Sequence, residues 1–289
     1  MIRVKLCRCH CALQVCLALL LLVGFPDSPV AQSRTERIAE PTGNLLAPPL
    51  PDKRQSAQGE PSDPAEELWQ KVLAAKGGLD ALRAVRTSDT KSEVTRITPQ
   101  ETLAGTAEEW VEYPDKICRR WNIGGQIYFR TLVDTTLWLL NPVGGQLTLT
   151  AGALNKTGFS DPFALQMKGA LQSNPVSFFL LASDSDSRRE LIDPQEGMPG
   201  LVVRHKSGEA FNAYFDPQTL LLRKLVYRSI YGPEMTYLYE NYKQVEGLQI
   251  AHRIESYRGS TKIEAMTITD FQVNAPLPEN VFQKPDMSE

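Results

Sequence analysis

The strongest constraint on this chain is a stretch that leaves no room for helices. Between Glu190 and Val273, segments of alternating apolar and polar residues follow one another at 201–206, 209–215, 220–231, 235–242, 248–257 and 261–273. Only tight turns separate them, signed by Ser207-Gly208, Asp216-Pro217, Tyr231-Gly232-Pro233, Glu246-Gly247 and Arg258-Gly259. Strands joined this closely must pair antiparallel, because parallel neighbours need a crossover of a dozen or more residues. Several segments exceed the usual five or six residues of a strand, so the spacing predicts a long antiparallel meander.

A second set of strands precedes it, at 91–97, 101–113, 116–123, 126–133 and 136–140, punctuated by Pro-Asp, Gly-Gly and Asp-Thr. That makes about eleven strands in all. Helical pattern occurs in two places. Asp63-Pro64-Ala65-Glu66 reads as an N-cap with Pro in the first turn, and Leu68, Val72 and Leu73 mark one face before Gly77-Gly78 closes it. Leu79, Leu82 and Val85 continue as a short second turn. Later, Ser160-Asp161-Pro162 opens a helix running to Leu171, and Asn174-Pro175 introduces the apolar run Val176-Ser-Phe178-Phe179-Leu180-Leu181. Residues 183–189 read as a polar loop. The fold class expected is mainly β (α+β).

The front of the chain has a different texture. Arg3, Lys5 and Arg8 precede an apolar run from Ala12 to Phe25 broken only by Gln14, and Ala31 offers a cleavage point before Gln32. This is the layout of a secretory signal peptide over residues 1–31, shorter than the ~18 apolar residues a spanning helix needs. Left uncleaved, the run would make an inner-membrane anchor. Residues 32–62 read as a flexible linker, with Pro41, Pro48, Pro49, Pro51 and Pro61 among Gln, Ser, Glu and Gly. One domain, 63–289, follows. Of the five cysteines only Cys118 lies beyond the signal region, so no disulfide can form within the exported chain. Cys118 is expected to be a structural bystander, although Arg119 and Arg120 beside it could lower its pKa. The net charge of −3 argues against nucleic acid as a partner, since phosphate backbones call for a basic face.

Chemistry-bearing motifs are sparse. His205 and His252 sit on separate predicted strands and Cys118 is distant, so no pair has zinc-ligand spacing. Asp184-Ser-Asp186 opens like a calcium loop, but Arg189 stands where Gly is needed and Gln195 where Glu should close it. The sequence has no Gly-x-Ser-x-Gly elbow, phosphate-binding glycine loop or His-Glu-x-x-His. No catalysis, metal or cofactor is expected. What stands out is apolar excess: Trp110, Trp121, Phe129, Trp138, Leu140, Phe178, Phe179, Tyr214, Tyr227 and Tyr237 lie on strands or on the apolar helix. Residues 261–273 carry apolar side chains on both faces, which requires either a helical cover or a cavity.

Four segments carry a resemblance. They are Asp134-x-x-Leu137-Trp138-Leu139-Leu140-Asn141-Pro142, Gly208 to Leu221 with its Asp216-Pro-Gln-Thr219 turn, Tyr242-Lys-Gln-Val245-Glu-Gly247-Leu248-Gln-Ile250, and Asp270-Phe-Gln-Val-Asn274-Ala-Pro276-Leu277 followed by Phe282 and Pro285. In this order, the chain from 66 to 286 resembles the bacterial lipoprotein-carrier superfamily, the LolA/LolB-like outer-membrane lipoprotein-sorting proteins. It departs from that pattern at Thr135, where Gly is usual, and in its long front linker. The resemblance implies a curved antiparallel half-barrel with helices covering its concave face and holding acyl chains. The expectation is a periplasmic carrier of a lipid or an acylated lipoprotein, with Trp138, Leu140, Phe178, Phe179 and Tyr227 lining the site. An inner- or outer-membrane protein is a possible partner, and nucleic acid is not. The alternatives are a sensor or scaffold module that binds a partner protein and, more remotely, a hydrolase built around His205 or His252.

Overall fold

A computed structural model describes residues 63–143, 146–154, 162–206, 208–228 and 234–285. The signal-peptide and linker readings on residues 1–62 lie outside the described residues, as do Ser160, Asp161 and the turn Tyr231-Gly232-Pro233. Helix α1 (Pro64–Lys76) starts where the cap predicts: the Asp63 side chain accepts the Ala65 N–H at 3.0 Å, with Pro64 and Glu66 in the first turn. Gly77 ends it at φ +122°, and a Cβ there would lie 2.4 Å from the Gly247 carbonyl oxygen, so both conformation and space demand glycine. Helix α2 (Leu79–Ala84) follows.

Strands β1 (Thr87–Ile97), β2 (Thr102–Glu112), β3 (Lys116–Ile123), β4 (Gln126–Val133), β5 (Thr136–Val143) and β6 (Gln146–Ala153) form one meander. Helices α3 (Pro162–Gln172) and α4 (Ser177–Ala182) interrupt it. A second meander comprises β7 (Ser187–Gln195), β8 (Met198–His205), β9 (Ala210–Phe215), β10 (Leu222–Arg228), β11 (Met235–Val245), β12 (Leu248–Arg258) and β13 (Thr261–Val273). The two join through antiparallel pairing of β1 with β13, giving a thirteen-stranded sheet in the order 6-5-4-3-2-1-13-12-11-10-9-8-7. The sheet is open, with β6 and β7 as its edges, and is consistent with a curved half-barrel.

The two strands beyond the expected eleven are those edges. β7 reads Ser-Arg-Arg-Glu-Leu-Ile-Asp-Pro-Gln, and β6 has only Leu147 and Leu149 as large apolar residues. Charge and Pro are common on edge strands, where one row of backbone groups has no partner strand, and they mask β7; β6 has neither, and its Leu-Thr-Leu alternation is short. The topology also explains the helices. Because β6 and β7 lie at opposite edges, the chain between Ala153 and Ser187 must cross the sheet. It does so as α3, which contacts β3, β4, β5 and β6, and then α4, which contacts β7 and β8.

Two tight turns decide which side chains meet that crossing. Gly124 (φ +59°) and Gly125 (φ +75°) form a two-residue hairpin turn, so Ile123 faces Gln126 and Ile117 faces Leu132. Asp134 (φ +52°) and Thr135 turn the next hairpin, placing Leu132 opposite Leu137 and Thr131 opposite Trp138. Val111, Ile117, Leu132, Leu137 and Leu139 therefore share one face, and they pack against Ala164, Met167 and Leu171 of α3. The larger core joins Trp69, Val72 and Leu73 of α1 with Phe178 and Phe179 of α4 and with Leu201, Phe211, Phe215, Leu225, Tyr227 and Tyr239 of the second meander.

Asn174, in the α3–α4 junction, ties the crossing to the sheet. Its amide donates to Glu109 Oε1 at 3.0 Å, and its Oδ1 accepts from Tyr113 Oη at 3.0 Å and from the Val176 N–H at 2.9 Å. Beside it, Tyr239 Oη donates to the Ser173 carbonyl at 2.6 Å. The junction is thus bonded to β2 in one meander and β11 in the other.

Candidate functional site

A cavity of about 340 Å³ opens between α3, α4 and the turn joining β4 and β5. Its apolar wall consists of Leu132, Leu171, Leu180 and Leu181, and Tyr113 and Ser177 add to the lining. Leu132 and Leu171 are buried, whereas Leu180 and Leu181 are half-buried, because α4 turns its two phenylalanines to the core and these leucines to the opening. The volume lies within the ~300–1,000 Å³ typical of small-molecule sites.

Polar groups stand around this wall. Lys168 of α3 donates to Glu209 Oε1, so its charge is matched. Asp115 and Asp134 approach each other across two turns. Burial, then the hydrogen bond and repulsion from Asp134, raise the Asp115 pKa above the usual aspartate value. The Tyr113 hydroxyl, also raised by burial, is held between Ser88 Oγ at 3.0 Å and Asn174. It is a neutral hydrogen-bonding group and not a nucleophile.

Asp184, Asp186 and His205 form a further cluster at the cavity's edge, their potential ligand atoms all within 4.8 Å of one another. The sequence reading separated His205 from the two aspartates. The register of β7 with β8, in which Ser187 faces His205, brings them together. Asp186 already pairs with Lys206, and Asp184 accepts the Asp186 N–H at 2.8 Å, which lowers its pKa. Both carboxylates are engaged and exposed, as in an ordinary capped turn. The other histidine, His252, is buried, with Nδ1 2.9 Å from the Ile250 carbonyl.

None of the five residues singled out from the sequence lines this cavity. Trp138 and Leu140 alternate with Leu137 and Leu139 and so lie on the opposite face from α3. There the Lys284 ammonium sits 5.6 Å from the Trp138 ring. Phe178, Phe179 and Tyr227 are buried in the larger core, and a Cβ on Gly169 of α3 would come 2.8 Å from the Tyr227 ring. The leucines that do line the cavity carry a weak sequence signal. Leu180 and Leu181 belong to the apolar helix, but Leu171 lies on α3 beyond the junction, and Leu132 on β4 is separated from them by β5, β6 and α3. Cys118 is buried, as a bystander thiol would be, and the neighbouring arginines do not activate it. Burial pushes its thiol up to about 12, outweighing Arg120, and Thr131 Oγ1 lies 3.4 Å from its sulfur.

Among the described residues, no helix is long and apolar enough to cross a membrane. Neither a protein-family model nor a curated protein matches the chain. Solved structures do. A DUF1329 family protein from Desulfovibrio piger is 11% identical with a TM-score of 0.50, over 77% of this chain and 98% of its own. A LolA superfamily protein from Nitrosomonas europaea is 14% identical with a TM-score of 0.47, over 76% and 97%. A domain from Vibrio parahaemolyticus described as an outer membrane lipoprotein-sorting protein is 15% identical with a TM-score of 0.45, over 75% and 95%. At 11% identity the likeness to the Desulfovibrio piger structure is one of fold alone.

Proposed function

We propose that the domain is a carrier that takes up the acyl part of a lipid or lipoprotein in the leucine-walled cavity beside α3 and α4. The observation that carries this reading is the cavity itself: four leucines converge on a space open between the crossing helices and a hairpin. The mechanism is partition, each methylene leaving water for the leucine wall at about 0.8 kcal/mol. Two half-buried leucines of the six-residue α4 form part of this wall and back onto the aromatic core. The four sequence segments that resemble lipoprotein carriers support the same function. The layout of residues 1–31 supports export to the periplasm.

The test is titration with a fluorescent fatty acid. The wild type should bind saturably, and Leu181→Arg, which places a charge in the wall at a half-buried position, should lose at least about tenfold in affinity with little change in melting temperature. Trp138→Ala, on the opposite face, should bind like the wild type. Absence of saturable binding by the wild type would overturn the reading. A module that binds a partner protein would then take its place, favoured by the exposed Leu191 on edge strand β7.

A further inference from the structure

On the other side of α3 lies a second cleft, of about 390 Å³ and opposite chemistry. Arg96, Arg119, Arg130 and Arg258 all line it, with Glu264 as the only carboxylate in the lining. The strand register concentrates these cations. Arg119 of β3 faces Arg130 of β4 directly, a like-charge pairing that weakens a sheet. Arg96 of β1 faces Glu264 of β13 and pairs with it at 3.3 Å. Arg119 pairs with Glu109 of β2. Arg130 has no carboxylate within ion-pair distance among the described residues. Its Nη1 donates to Gln166 Oε1 at 3.1 Å, and its Nε is buried without a partner among the described residues.

Aromatic rings hold the guanidinium groups. Arg96 lies 5.4 Å from the Trp121 ring centroid and 5.9 Å from that of Tyr128, and Arg130 lies 5.4 Å from Trp121 and 5.3 Å from Phe163. Such ring contacts stabilise a guanidinium charge while supplying no conventional acceptor for its N–H groups. Burial, and then repulsion from Arg96 and Arg119, brings the Arg130 pKa down to about 10, so the group is charged at neutral pH in surroundings short of negative charge. An oxyanion would supply that charge and the missing acceptors. Met167, Met235 and Ile263 complete an apolar lining around the cations.

We propose that this cleft is a binding site for a phosphate group, engaged by the in-plane donors of Arg130 and Arg96 with Arg258 at the exposed margin. A phosphate carried on an acyl chain and a free phosphate share this chemistry. The proposal stands on the arginine cleft alone and does not depend on the leucine-walled cavity.

Calorimetric titration of the full domain with dodecyl phosphate below its micelle concentration, with inorganic phosphate, and with dodecyl maltoside tests it. The phosphate amphiphile should bind with an affinity that falls as sodium chloride rises from about 50 to 500 mM. Arg130→Gln should weaken it by about tenfold or more, and Arg130→Lys should fall between, keeping the charge without the fork. Arg258→Gln is exposed and will fold even if the Arg130 variants do not, and it should weaken binding a few-fold. Equal binding of inorganic phosphate assigns the site to free phosphate, and a requirement for the chain assigns it to a phospholipid-type head group. The proposal is overturned if neither phosphate probe binds. It is also overturned if dodecyl maltoside binds as tightly as dodecyl phosphate, or if Arg258→Gln and every folded Arg130 variant stay within twofold of the wild type. Failure of the acyl reading shows elsewhere, in the fatty-acid titration and the Leu181→Arg variant.

Discussion

The indole of Trp69 lies stacked on the ring of Phe179, centroids 5.6 Å apart and planes 19° from parallel. Phe178 meets both rings edge-on, at 6.3 Å from Trp69 and 5.4 Å from Phe179, and continues to Phe211 at 5.8 Å. This aromatic chain joins α1, α4 and β9, and it accounts for the burial of both phenylalanines of the apolar helix. A residue can be the most hydrophobic in its segment and still be unavailable to a ligand, because the core has taken it first.

Stability and binding should therefore separate along α4. Phe179→Ala empties a fully packed position and should lose about 3–5 kcal/mol of unfolding free energy in urea titration. Leu181→Ala removes a half-buried side chain and should lose under about 2 kcal/mol, while weakening the fatty-acid probe more than Phe179→Ala does. If Phe179→Ala proves the milder of the two in urea, the division of α4 into core and cavity residues is wrong.

Lys76 gives the domain a pH dependence in an unusual window. Its side chain is buried at the end of α1, donates to the Gln249 carbonyl and lies 5.3 Å from the Phe179 ring centroid. Burial brings its pKa down to about 7, against ~10.4 for an unfolded lysine. Between these values the unfolded chain holds a proton that the folded chain has released, so stability rises with pH from about 7 to 10 and the lysine's penalty is fully present below 7. Urea midpoints at pH 6.5, 7.5 and 9 should climb in the wild type. Lys76→Met should flatten the rise and stabilise the domain at pH 6.5, on the order of 1–4 kcal/mol. Identical slopes in the two proteins would place the titrating group elsewhere.

Much of this architecture is legible in the residues, and the remainder was hidden for identifiable reasons. β3, β4 and β13 begin and end where alternation and turn residues put them, since those strands have a buried face and glycine or aspartate at their ends. The edges β6 and β7 were hidden because an edge need not be apolar. The cavity was hidden for a different reason. Putting Leu132 on the face that meets α3, and Trp138 on the other, requires the parity of two successive hairpins, and that parity is set by whether Gly124-Gly125 and Asp134-Thr135 are two-residue turns. The arginine cleft draws on β1, β3, β4 and β12, and no local pattern reports their meeting.

Cys118 should behave as a buried apolar residue. With its thiol pushed up to about 12 by burial, it has almost no thiolate at pH 8. A maleimide or disulfide reagent should leave the native protein unlabelled at that pH and label it stoichiometrically in urea. Rapid labelling of the folded protein would show that the surrounding strands open far more readily than their packing indicates.

Asn174 holds the crossing segment through polar bonds rather than apolar area, and this leads to a prediction with a distinctive pH signature. Its side chain is buried, giving one N–H to Glu109 and accepting from Tyr113 and the Val176 amide. Asn174→Leu keeps the volume but strips a partner from three groups. Tyr113 retains Ser88, and Glu109 retains Arg119, but the Val176 N–H is left without its side-chain acceptor. An orphaned buried group costs about 1–3 kcal/mol, so a loss of that order is expected. Asn174→Asp is more diagnostic. It keeps both accepted bonds, loses the donor to Glu109, and sets a second carboxylate against the first. Repulsion raises the folded-state pKa of the new carboxyl group, so the variant's deficit should be full above that raised value and should shrink as pH falls from it towards the unfolded value of ~3.9. Urea unfolding of wild type and variant from pH 8 down to pH 4 measures the difference directly. A deficit that stays constant across that range would mean that Asn174 does not face Glu109, and the anchoring of the α3–α4 junction to β2 would have to be redrawn.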